Sequence, residues 1–197
     1  MKNKSIALFF VIIISGCTHF SAPYPEVTYH AFTQEIHEEA KAPKKELINI
    51  KLEPFSIARQ FESPFFVYRV TEYTFETDFY NRFASFPALF FAEQLQHYLH
   101  TSYQFAFNPN YADCIISVHI SELYVDYIDK KNPSAVISID ATVKEAKEKK
   151  VILAKSYKST IKMETSNIKS IMPAFQKAEY EIMAELKKDL ISLLSKK

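Results

Sequence analysis

The sequence predicts an α+β fold: a largely antiparallel or mixed β-sheet with two amphipathic helices packed on one face, in a single domain after a flexible tether. Two observations carry this fold class. Between Cys114 and Lys162, apolar and polar residues alternate in long runs separated by turn-forming segments, the pattern of antiparallel strands with one face covered and one wet. Residues 87–99 and 171–193 instead repeat apolar side chains every three or four positions, the period of a helix with one buried stripe. The chain is 48% hydrophobic and 15% aromatic, ample for a packed interior, and one domain of about 150 residues accounts for its length.

The N-terminus is a separate unit. Lys2 and Lys4 precede an unbroken apolar run from Ile6 to Ile14. As a helix this run covers about 14 Å, under half of a hydrocarbon core about 30 Å thick, so it is a signal rather than a membrane span. Ile14-Ser15-Gly16-Cys17 closes it and resembles the lipobox of bacterial lipoproteins; Gly16 is the only glycine in the chain. The resemblance implies a diacylglyceryl group on the Cys17 thiol, removal of residues 1–16 and acylation of the new amino group. Several acyl chains give lasting attachment where one does not. Thr18 stands where an Asp signals retention at the inner membrane in many Gram-negative bacteria, so the expected location is the outer membrane, lipid-anchored and facing the periplasm.

Residues 17–46, punctuated by Pro23, Pro25 and Pro43, show no sustained period and are expected to form a flexible tether, within which residues 29–32 could make a short edge strand. Twenty-nine flexible residues would reach about 100 Å when stretched. The α+β domain is expected over 47–197. Its first strand contains Ile48, Lys51 and Leu52 and stops at Pro54. Phe65–Val70 and Tyr73–Thr77, β-branched and aromatic, suggest a hairpin or kinked pair, and Asp78–Ala84 a turn-like aromatic cluster. Ser85 is the expected cap of the first helix, with Pro87 in its first turn and Ala88, Phe91, Leu95, Tyr98 and Leu99 on its apolar face.

Beyond the Asn108-Pro109-Asn110 loop, Ile116, Val118 and Ile120 share one face, and the phase slips near Glu122 as a bulge would require. Asp129–Pro133 is a turn. Ile137, Ile139, Ala141 and Val143 form the inner face of the next strand, Lys147–Lys150 a solvated hairpin tip, and Val151–Lys162 the returning partner. The last helix is expected to be capped by Asn167 or Ser170, with Ile171, Phe175, Ala178, Ile182, Leu186, Leu190 and Leu193 as its apolar stripe.

Composition narrows the function. Removing residues 1–16 takes away Lys2 and Lys4 and no acid, leaving 22 basic against 23 acidic side chains, so there is no electrostatic case for nucleic acid. Without a glycine after Gly16, the mature chain has no P-loop, dinucleotide fingerprint or nucleophile elbow, each of which needs glycine's backbone freedom. The histidines, His19, His30, His37, His97, His100 and His119, lack metal-ligand spacing. Asp126 and Asp129, the best acid pair, fall at a strand end and a turn, where acids are ordinary. Cys114 reads as a small buried hydrophobe. The expectation is therefore no catalytic residue, no metal and no cofactor beyond the covalent lipid on Cys17. The aromatic and arginine-rich residues Tyr68, Arg69, Tyr80, Arg82 and Phe83 are the candidate surface for a partner or for homo-oligomerisation.

The domain resembles the auxiliary lipoprotein component of ABC-type transport systems, the paraquat-inducible protein C-like family. The resemblance is carried by Phe66–Val70 with Tyr73, Asp78–Phe83 with Pro87, Ala112-Asp113, Glu122–Asp126, Ala135-Val136, Tyr157 and the closing helix. Val125 stands where the family usually has glycine. The resemblance implies a non-enzymatic lipoprotein that works with an MCE-domain protein, a permease and an ATPase in moving lipids between two membranes. The alternative is an envelope-assembly or regulatory lipoprotein, a partner of the lipopolysaccharide translocon or of a cell-wall synthase.

Overall fold

The computed structural model describes residues 25–32, 48–100 and 102–194, so Cys17, the signal, His19 and His37 lie outside the described residues. Among the described residues, nine strands form one mixed sheet: β1 (Thr28–His30), β2 (Asn49–Leu52), β3 (Ser56–Ile57), β4 (Phe65–Arg69), β5 (Phe75–Phe83), β6 (Gln104–Phe105), β7 (Cys114–Asp126), β8 (Ser134–Glu145) and β9 (Val151–Lys162). Two helices, α1 (Pro87–Leu99) and α2 (Ile171–Leu194), complete the α+β fold.

β7 is the axis. Along one edge it pairs antiparallel with β8, which pairs antiparallel with β9. Its other edge is occupied in succession by β2, β3 and β4, all parallel to it. These are pieces of one interrupted strand. Pro54 has no N–H to give the ladder, yet Glu53 N before it and Ala58 N after it donate to Ile116 O and Ile120 O at 2.9 and 2.8 Å. The expected phase slip is present as a register shift between Ile120 and Glu122. It keeps Ile116, Val118 and Ile120 on the same face as Leu123 and Val125.

That face is covered by α2, whose Phe175, Ala178, Ile182, Leu186 and Leu190 are buried together with Ile137, Ile139 and Val143 of β8. Polar contacts fix the helix on β9. Lys155 Nζ reaches Glu185 and Asp189 at 2.8 and 2.7 Å, Tyr157 Oη donates to Asp189 at 2.8 Å, and Ser159 Oγ donates to Glu181 at 2.7 Å. Asn167 caps a short 3-10 turn, Ile168–Ser170, that leads into α2. α1 buries Phe91, Leu95 and Leu99, and its Tyr98 ring meets Tyr180 of α2 edge-on at 5.9 Å.

Three expectations need correction. Ser85 is not the cap of α1: Phe86 holds that position with no side-chain bond, because Pro87 opens the helix and forces the residue before it to be extended. Asp78–Ala84 is not a free turn, since β5 runs on to Phe83 through an irregularity. Finally, the stretch 17–46 is not all tether: the short edge strand expected at 29–32 is present, one residue earlier, as Thr28–His30. Thr28, Tyr29 and His30 pair parallel with Asn81, Arg82 and Phe83, and Ala84 N donates to His30 O at 2.8 Å, so the sheet recruits chain well upstream of residue 47. Phe32 adds apolar contact, stacking on Phe90 at 4.0 Å.

Candidate functional site

The five residues expected at an interface all lie in the arm of the sheet formed by β4, β5 and β1, but the fold divides them. Phe83 is core, 5% exposed, with its ring 4.7 Å from Phe66 and 5.8 Å from Phe175 of α2. Strand alternation puts it on the helix-covered face, so the expectation that it meets a partner is wrong. Tyr68 is half-buried and donates to Asp78 Oδ2 at 2.7 Å, with its ring edge-on to Tyr127 at 5.3 Å. Burial and that hydrogen bond push the phenol far above its ordinary value. Arg69 ion-pairs with Asp126 and lies 5.0 Å above the Tyr124 ring. The hydrogen bond to Asp126 raises an already high guanidinium pKa, and both side chains are less than a third exposed, so Arg69 ties β4 to β7. Tyr80 is exposed and Arg82 half-buried.

What presents them is the irregularity in β5. Phe65 pairs with Arg82 and Phe66 with Asp78, so Phe79, Tyr80 and Asn81 have no partners in β4. Asp78 gathers the excursion. Its Oδ1 accepts from Tyr80 N and Asn81 N at 2.9 and 3.1 Å, and its Oδ2 from Asn81 Nδ2 at 2.8 Å as well as from Tyr68. Burial alone would raise this carboxyl, but the hydrogen bonds from Tyr68, Asn81 and the Tyr80 backbone hold it below the usual carboxylate range. It is a structural anion, ionised at neutral pH.

On the face opposite the helices this arrangement builds an aromatic patch. The Arg82 guanidinium lies 4.6 Å over the Phe65 ring while its Nε donates to Phe79 O at 3.1 Å, and Phe79 meets Phe65 edge-on at 5.2 Å. Tyr29 pairs with Arg82, and its neighbour His30 lies against core residue Phe66 at 5.0 Å, so Tyr29 points to the patch side. Tyr29, Phe79 and Tyr80 are 63%, 60% and 49% exposed. A second aromatic group on the same face, Phe61, Phe75 and Tyr124, is better buried, with centroids 5.4 to 6.2 Å apart. Sequence reasoning missed Tyr29, Phe65 and Phe79. Phe75, Thr77 and Phe79 at period two were the available signal, and Asp78 followed by Asn81 was a signal for the loop that breaks it.

The other candidates hold the chain to itself. Asp126 is paired with Arg69, and Asp129 accepts from Lys131 N and Asn132 Nδ2 at 3.0 and 2.8 Å within its turn. His119 Nδ1 shares a hydrogen bond with Ser56 Oγ at 2.9 Å, and His30 Nε2 with Asn81 Oδ1 at 2.9 Å. Cys114 is buried in the core, as expected of a small hydrophobe.

This sheet, with the interrupted strand beside β7 and two helices, defines a fold class found in other proteins. No family model and no curated protein matches the chain. Among solved structures, a Xanthomonas campestris protein of the family DUF330 is similar with a TM-score of 0.69 at 16% identity, over 81% of this chain and 92% of that one. An uncharacterized protein gives a TM-score of 0.67 at 12% identity, over 84% and 99% of the two chains. A hypothetical protein from Chlamydia trachomatis gives 0.52 at 12% identity, over 77% and 99%. At these identities the shared property is the fold.

Proposed function

We propose that this protein is a lipid-anchored, non-catalytic envelope lipoprotein, and specifically the auxiliary subunit of an ABC-type, MCE-associated system that moves lipids between two membranes. The observation that carries the anchored reading is the lipobox ending at Cys17, placed eleven residues before the first strand of the sheet, which starts at Thr28. The family motifs fall on structural positions: Asp78 organises the β5 excursion, Asp126 receives Arg69, and Tyr157 locks α2 to β9. Those residues account for the resemblance by building the fold, and the likeness to the DUF330 protein is to that fold. Partners in this reading are an MCE-domain protein, a permease and an ATPase, at the periplasmic face of the outer membrane.

The test is affinity purification of the full-length acylated protein from solubilised membranes, with mass spectrometry of the proteins and lipids that accompany it. Enrichment of an MCE-domain protein and permease, lost in Cys17→Ser, is the expected result. Recovery of a lipopolysaccharide translocon or cell-wall synthase in their place overturns the transport reading in favour of an assembly role. A chain that takes up no palmitate analogue overturns both.

A further inference from the structure

The patch formed by Tyr29, Phe65, Phe79 and Arg82 is the part of the sheet surface closest along the chain to Cys17. We propose that it seats in the headgroup layer of the same leaflet that holds the acyl chains of Cys17, so that the domain lies against the bilayer by its β1 edge. The proposal rests on the reading of Cys17 as acylated.

Three observations carry it. The first is reach: Tyr29 is twelve residues from Cys17, so even a fully extended chain keeps it within about 42 Å of the anchored residue. The tether expected from sequence gave the domain about 100 Å of freedom; pairing of Thr28–His30 with β5 removes more than half of it. The second is chemistry. Tyrosine and phenylalanine rings with an adjacent guanidinium match the interfacial layer, where aromatic residues with one polar end accumulate and arginine meets lipid phosphates. The patch provides that mixture, and the carboxylate of Asp78, at the root of the β5 excursion, is turned onto Tyr68 and Asn81. The third is effective concentration. A short covalent link places the patch at millimolar levels relative to the surface, so contacts too weak to hold a free protein suffice.

The chain contains no tryptophan, so a single Phe79→Trp substitution reports on this patch alone. Acylated full-length Phe79→Trp protein is reconstituted into phosphatidylethanolamine–phosphatidylglycerol vesicles with and without brominated phosphatidylcholine, beside Val151→Trp, whose site is exposed at the start of β9. Tyr29→Trp serves as the second probe should the larger indole of Phe79→Trp perturb the β5 excursion. The expected result is a blue shift and loss of about half the emission with bromolipid for the patch probes, as for a ring at headgroup depth, and little change for Val151→Trp. Vesicle-bound protein whose patch probes respond no more than Val151→Trp overturns the proposal while leaving the anchor intact. A blue shift without quenching that grows with protein density assigns the patch to a second copy and also overturns it. Protein that does not float with the vesicles removes the anchor and the proposal together.

Discussion

Glu179 interrupts the buried stripe of α2 and makes the stability of this domain sensitive to pH. It stands four residues from Phe175 and from Met183, on the buried side of the helix, and is 8% exposed. Burial pushes its carboxyl from the ordinary 4.5 to about 7. The folded state therefore holds a proton that the unfolded chain has already released between those values, and stability falls as pH rises from about 4.5 to about 7, with nothing further lost above. At about 1.4 kcal/mol per pH unit, two and a half units correspond to roughly 3 kcal/mol, present below pH 4.5 and absent at pH 8. Glu179→Gln keeps the shape and removes the charge. On a Cys17→Ser background, urea unfolding followed by circular dichroism should show the variant about 3 kcal/mol more stable at pH 8, the gap closing toward pH 4.5 at constant m. Titration of every other group is common to both chains, so the difference curve isolates this carboxyl. A gap that does not change with pH, or a variant less stable at pH 8, refutes the reasoning.

The remaining expectations separate structural from surface residues. Phe83→Ala should destabilise the domain by about 3 to 5 kcal/mol by opening a cavity between Phe66 and Phe175, whereas Tyr80→Ala should stay within about 0.5 kcal/mol; thermal melts compare them. Arg69→Ala and Asp126→Ala, combined in a double-mutant cycle, should show a coupling of about 1 to 2 kcal/mol, and additive losses would mean that the pair does not join β4 to β7. Cys114 should react with a maleimide only under unfolding conditions, since it is 1% exposed; prompt labelling of native acylated protein would contradict its placement.

The parts of the fold legible in sequence are those whose signal is local. β7, β8 and β9 alternate over twelve or thirteen residues each, and α2 repeats its stripe over about six turns, so period and turn residues suffice. Even the slip near Glu122 is visible, because one extra residue reverses the face of everything after it. β1 is different: a short edge strand is legible at 29–32, but three residues carry no period and nothing local names their partners, about fifty positions away in β5. The same holds for β2, β3 and β4, each too short to reveal that all three lie along one edge of β7. Within the site, composition pointed to the right arm of the sheet. It could not separate Arg82 from Phe83, because one residue of phase decides which faces the core, and that phase depends on how many residues the Asp78 excursion takes up.

Pinning of Thr28–His30 to β5 also turns the length of the leader into a measurable quantity. Thr28 follows Cys17 by only eleven residues, and a seated patch gains from that shortness because it cannot diffuse far from the surface between contacts. Inserting eleven Gly/Ser residues after Ala22 doubles the link without touching the lipobox or β1. Effective concentration falls roughly as the −3/2 power of link length, so the ratio of seated to unseated domain should drop about threefold, a ratio obtained from the seated fraction that bromolipid quenching of Phe79→Trp reports. Membrane flotation should not change, because the acyl chains are untouched. An insertion that leaves quenching at its original level would mean that the patch holds the bilayer by its own affinity, with no contribution from the tether. One that abolishes flotation would instead show that the chain between Cys17 and the sheet is needed for acylation itself.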